Sequence, residues 1–147
     1  MKKSRIIIIT VLSVIVIAVT IGLMMYFKPH KDFADATPDY ELTVAELIGA
    51  FASDEAAATA TYVVDDKTVL VSGIVRETDT DSNGCAVIVL GQNGTEGSVC
   101  CTLTPDESTA SITIRPGDPI RIQGQCTGMQ ELIEPQVIMI RCALPRK

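Results

Sequence analysis

Through the second half of this chain, apolar and polar residues take turns. From 119 to 126, Ile120 and Ile122 fall on one side and Arg121 and Gln123 on the other, the period-two pattern of a strand with one buried face. The preceding Arg115-Pro116-Gly117-Asp118 has turn composition, and Gly124 interrupts the strand where a bend or a close backbone approach is expected. Four further segments read as strands: 68–75 with Gly73 in its interior, 85–90, 98–103 and 136–144. The polar run 78–84 ends in Asn83-Gly84, a strong hairpin signal, and 91–97 turns the chain again. Residues 105–111 form a connection with room for one helical turn, and the strand that follows falls within 112–126.

Upstream the period lengthens. Thr43-Val44-Ala45-Glu46 has the T-x-x-E form of a capping box, and Val44, Leu47, Ile48 and Phe51 follow at helical spacing. Ser53-Asp54-Glu55 offers a second cap, so 43–62 reads as one bent helix or two short ones. Adjacent Asp54 and Glu55 point about 100° apart on a helix and serve as capping charge, not as a catalytic pair. Residues 28–42 hold Pro29 and Pro38 with no period and read as a solvated tether. Residues 6–27 contain no charge, which is long enough to span a bilayer core of about 30 Å as a helix.

A meander of three strands, a connection and a hairpin predict a mainly β fold: a five-stranded Greek-key OB-fold barrel with an N-terminal α-helical segment, preceded by one transmembrane helix. Closure removes exposed edges, which suits so many apolar strand residues. The competing arrangement is an open five-stranded sheet with the helix on one face. The layout is then 1–5 as a cytoplasmic amino terminus, 6–27 as a signal-anchor, 28–42 as linker, 43–62 as the helical segment and 63–147 as the barrel. The apolar run ends in bulky Leu23-Met24-Met25-Tyr26-Phe27 with no small-x-small site, so it is read as retained. No cysteine follows it, which argues against a lipoprotein signal. Tyr26 and Phe27 suit the interface and Lys28 can snorkel. Lys2, Lys3 and Arg5 before the span against Lys28 and Lys31 after it place the amino terminus inside and the domain outside; an inverted anchor is the alternative.

Charge changes the picture of what the domain binds. From Asp32 onward there are seven basic and 18 acidic residues, a net −11 that repels phosphate backbones and anionic headgroups and tolerates cationic partners. From Val63 to Lys147 there is no Phe, Tyr, Trp or His, so the aromatic platforms on which single strands stack are missing. Arg76, Arg115, Arg121 and Arg141 could cluster in space, but nucleic acid is not the expected ligand.

Candidate chemistry is sparse. By alternation Cys101, Cys126 and Cys142 point into the barrel and Cys100 out; Cys85 begins a strand. They read as small buried hydrophobes or, in an oxidising compartment, as a disulfide among Cys101, Cys126 and Cys142. A zinc site is not expected, because there is no C-x-x-C and the one histidine, His30, sits in the tether. Asp79, Asp81, Asn83 and Gly84 match the start of a calcium loop, but the twelfth position, where a bidentate Glu is needed, is Leu90. These three polar residues are weak metal candidates, and a plain hairpin turn is the simpler reading. No set of converging titratable groups names a reaction, and neither an enzyme activity nor a cofactor is expected.

Several stretches together resemble the bacterial tRNA-anti-like family. They are L-T-V-A-E-L-I-G-A-F from Leu42, D-E-A-A-A from Asp54 with Tyr62 after it, V-S-G-I-V from Val71, G-D-P-I-R-I-Q-G-Q-C-T-G from Gly117 and V-I-M-I-R-C from Val137. The resemblance covers roughly 39–144 and includes Gly73, Gly117 and Gly124, which the strand and turn patterns read as structural glycines. It implies an OB fold, a bacterial cell-envelope setting and no established activity, and the family's name implies nucleic acid. Set beside the residues, the expectation is a single-pass inner-membrane protein displaying an extracytoplasmic OB domain. That domain would be an interaction module for a protein, peptide or oligosaccharide, with a nucleic-acid-binding domain as the alternative.

Overall fold

The computed structural model describes residues 2–27, 32–64 and 67–146, in two units, 1–31 and 32–147. The first unit is one helix, α1 (Lys2–Tyr26), with a mean hydropathy of 3.1 over its most apolar window. It is long and apolar enough to cross a membrane. Its Thr10, Ser13 and Thr20 hydroxyls donate to the carbonyls of Ile6, Ile9 and Val16, four residues back, at 2.6–2.8 Å, so all three are paired within the helix. Lys28, His30 and Lys31, which bear on snorkelling, orientation and the absence of a zinc site, lie outside the described residues.

The second unit begins with β1 (Tyr40–Thr43), α2 (Val44–Ser53) and α3 (Glu55–Tyr62). The capping box forms in full. Thr43 Oγ1 accepts from the Glu46 N–H, and the Glu46 carboxylate accepts from the Thr43 N–H at 2.7 Å. Asp54 caps α3 through the Ala57 N–H and breaks the helix in two. Strands β2 (Val69–Thr80), β3 (Ala86–Gly91), β4 (Ser98–Leu103), β5 (Pro119–Glu131) and β6 (Pro135–Ala143) follow, with a helical turn α4 (Pro105–Ser108) and a 3-10 turn (Ala110–Thr113) between β4 and β5.

The sheet order is β1-β2-β3-β4-β6-β5, and β5 returns to pair with β2 from Val69↔Gly124 to Ile74↔Pro119. That pairing closes β2 to β6 into a five-stranded barrel, and the open sheet is excluded. Long β2 serves two neighbours on one side: β1 in parallel at its start, then β3 antiparallel from Ile74 on, with a bulge between Val75 and Glu77. Inside, Val71, Ile88, Leu90, Val99, Leu103, Ile122, Val137 and Met139 form one core with Val44, Leu47, Ile48 and Phe51 of α2. A Cβ on Gly124 would lie 2.7 Å from Cys142 Sγ and 2.9 Å from the Ile140 carbonyl, which is why a strand interior carries a glycine there. At Gly117 the positive φ of 98° turns the chain into β5. Gly73 faces Val44 at similarly short range.

The tether expectation fails from Asp32 on. Phe33 and Ala34 are 3% and 2% exposed and pack with Ala143 on the outside of the barrel. Buried Gln123 donates its amide to the carbonyls of Phe33, Ala34 and Ala36. The Arg146 N–H donates to the Ala34 carbonyl. Further on, Asp39 accepts from the Thr68 N–H at 2.8 Å, and residues 40–43 join the sheet as β1, a strand that the lack of periodicity concealed. A strap with one aromatic and a barrel glutamine to satisfy its carbonyls needs no apolar period of its own to dock.

Candidate binding walls of the barrel

The outer surface of the barrel divides into two walls. On the first, β3 and β4 turn Ile88, Leu90, Val99, Cys101 and Leu103 inward, which leaves Val87, Val89, Cys100 and Thr102 half-buried outside. Register aligns these in rows. One runs Glu77–Val89–Cys100–Ile138 across β2, β3, β4 and β6, and the next runs Asp79–Val87–Thr102. The wall is therefore an aliphatic strip with an exposed carboxylate margin. Neither Glu77 nor Asp79 makes an ion pair among the described residues.

One end of this wall is the β5–β6 loop, where Leu132 and Ile133 stand 77% and 102% exposed. Arg76 locks the base of that loop. Its guanidinium reaches Glu134 at 3.2 Å and the Thr95 carbonyl at 3.3 Å, and it lies across Gly91, where a Cβ would collide with it. A cavity of about 340 Å³ opens between Arg76, Val89, Ser98 and Leu132. At the other end is the β2–β3 turn. Asp81 Oδ1 accepts the N–H groups of Asn83 and Cys85 at 2.8 and 2.9 Å, while Asp79 Oδ1 accepts the Thr80 N–H. Leu90, at the twelfth position of the calcium pattern, is fully buried in the core. Among the described residues no group of three ligating side chains could hold a metal.

The second wall, formed by β2 and β5, is covered. Leu70 and Gln123, paired in register and facing outward, are 2% and 1% exposed beneath residues 33–36. Beyond the strap the wall is open again, with Arg121 in an exposed pair with Glu41 at 3.7 Å. Arg76 and Arg121 thus lie on different walls, each with its own carboxylate.

All five cysteines are free thiols in this structure. Cys101, Cys126 and Cys142 are fully buried, and Cys100 is half-buried on the β3–β4 wall. Burial pushes Cys126 up to about 11 and Cys142 well above the ordinary thiol range, the latter helped by its hydrogen-bonded neighbour Cys101. Burial also raises the outward Cys100. Cys100, Cys126 and Cys142 are thus not poised as thiolate nucleophiles at neutral pH. The domain's aromatics are used in the scaffold: Phe33 in the strap, and Tyr40 and Phe51 against Tyr62 at the helices, edge-to-face and tilted. The Arg76 latch and the Leu132–Ile133 tip escaped the sequence reading. The one signal was an apolar pair held between Glu131 and Glu134 in a turn.

A closed five-stranded barrel in this strand order is an OB fold, whose ligands cross its second and third strands between two flanking loops. Here those strands are β3 and β4, and the loops are 81–85 and 132–134. The chain belongs to the tRNA_anti-like family, whose sequence profile matches residues 1–143. No curated protein matches it. Among solved structures it is similar to a lipoprotein of Klebsiella pneumoniae described as a candidate nucleic acid-binding protein. The two share 17% identity at a TM-score of 0.56, over 71% of this chain and 91% of that one. The Stn1–Ten1 complex of S. pombe also matches, at 15% identity and a TM-score of 0.39 over 54% of this chain and 59% of that one. At such identity the Klebsiella likeness speaks for the fold.

Proposed function

We propose that this protein is a membrane-anchored binding module of the bacterial envelope, with α1 as a retained signal-anchor and the barrel on the extracytoplasmic side. The ligand crosses the β3–β4 wall, and it is a peptide or protein segment that combines apolar side chains with cationic ones. The observation that carries this reading is the composition of the wall: Val87, Val89 and Ile138 in a strip bordered by Glu77 and Asp79, which make no ion pair among the described residues. Aliphatic side chains on a ligand strand would pack on the strip, and lysines or arginines would meet the carboxylates. A second reading, a nucleic-acid-binding domain, is favoured by family membership and by the description of the Klebsiella neighbour. It lacks stacking residues on the wall, and the Arg76 cation is already held by Glu134.

Full-length protein in nanodiscs separates the two. A peptide of alternating lysine and valine should bind and should lose most of its affinity in Glu77→Lys. Oligo-dT and oligo-U should bind weakly or not at all at moderate salt. Tight oligonucleotide binding whose affinity falls steeply with salt, at a log–log slope of about −0.7 per phosphate neutralised, would establish the second reading instead.

A further inference from the structure

The β2–β5 wall carries a groove apart from the β3–β4 strip, with a volume of about 750 Å³. That volume is within the range of small-molecule sites, about 300–1,000 Å³. Half-buried Ile74 lines it from the outward face and half-buried Ile120 from the face of β5 that carries inward Ile122, and Leu144 and Pro145, just past the end of β6, line it as well. Arg121 and Ser72, paired in register across β5 and β2, supply polar groups.

Among the described residues, Arg121 is the one charged residue lining this groove. Its partner Glu41 stands 3.7 Å away, and the two side chains are 52% and 65% exposed. A pair this exposed contributes little, so the guanidinium can exchange Glu41 for another anion at small cost. Guanidinium also binds carboxylate through two parallel hydrogen bonds, a geometry that the long contact to Glu41 does not reach. A wholly apolar ligand would make no use of Arg121, and a polyanion would meet the domain's net charge of −11.

We propose that this groove binds a small amphipathic anion, an apolar chain carrying one carboxylate. The chain lies along Ile74, Ile120 and Leu144, and the head group pairs with Arg121. The site is independent of the peptide reading of the β3–β4 wall, and either can stand without the other.

The test uses full-length protein in nanodiscs with isoleucine methyls labelled for NMR and octanoate as the probe. The Ile74 and Ile120 methyls should shift saturably, while the isoleucines of α1 report simple partitioning into the bilayer. Octanol should shift the groove methyls much less. Arg121→Gln should weaken octanoate binding about 10-fold, and Glu41→Gln, which frees the guanidinium, should strengthen it about 3-fold. Shifts confined to the α1 isoleucines would overturn the proposal. So would equal responses to octanol and octanoate, or affinities unchanged in both variants.

Discussion

The β3–β4 wall and the β2–β5 wall are built from strands of one barrel, yet one is left bare and the other is roofed by the chain's own residues 33–36. On β3 the outward Val87 and Val89 stay half-exposed. On β2 the outward Leu70 is as buried as its inward neighbours Val69 and Val71. Alternation alone therefore does not say which outward residues meet water. The run Val69-Leu70-Val71, apolar on both faces, marks a strand covered on both sides. The strapped stretch of the β2–β5 wall is where the fold is fastened, and the bare wall is where a peptide partner has room.

The sharpest way to break this comparison is to put a charge on the covered side. Leu70→Lys places an ammonium beneath the strap, with a loss of about 3 kcal/mol or more expected in chemical denaturation. A variant as stable as the parent would mean that the strap lifts freely and that the two walls are equivalent. Next in size is Gln123→Leu, which removes the amide donor from the Phe33, Ala34 and Ala36 carbonyls, of which Ala34 keeps the Arg146 N–H. Leaving buried carbonyls unpaired costs about 1–3 kcal/mol. Exchange of the Arg146 amide with solvent should speed up, because its hydrogen bond to the Ala34 carbonyl depends on the docked strap. Unaltered exchange there would show that Phe33 holds the strap without the glutamine.

Much of this architecture could be read before any coordinates. The Asn83-Gly84 turn, the Thr43–Glu46 box and the five β-branched runs are local signals, each complete within a few residues. What stayed hidden is relational. Closure depends on β5 pairing back to β2 over some fifty residues, from Gly124 to Val69. β1 exists because Tyr40–Thr43 finds the vacant side of β2. Gln123 looked like one more solvated outward residue until the strap's carbonyls arrived above it. The Arg76 latch needed Glu134 and Thr95 from two other loops, and nothing near Arg76 in sequence announces them.

A smaller effect is expected where α2 starts, at the barrel's helical end. Thr43→Ala removes the cap and should cost about 1 kcal/mol. The partner carboxylate adds a pH dependence. The Thr43 backbone N–H holds Glu46 below its ordinary 4.5, with the Thr43 hydroxyl assisting. The stabilisation is thus fully present above the unfolded-state value and is lost as pH falls through the lower folded-state value. Denaturation midpoints measured between about pH 5 and pH 3 should fall less steeply in Glu46→Gln than in the parent. Parallel curves would mean that the box makes no net contribution in solution.

The smallest effect belongs to the bare wall, and it completes the comparison with Leu70. Val89→Lys puts the same ammonium on an outward position of the same barrel, directly opposite Glu77 in register. Its amine can reach water, and a cross-strand pair with Glu77 offsets part of the lost aliphatic contact. The expected change in stability is within about 0.5 kcal/mol. The lysine would nevertheless interrupt the strip and neutralise its margin, so binding of a lysine–valine peptide should be lost while the melting temperature holds. A large drop in melting temperature would instead show that the β3–β4 wall is packed as tightly as its opposite. The contrast between a fastened wall and a free one would then fail at the position where it is most exposed to test.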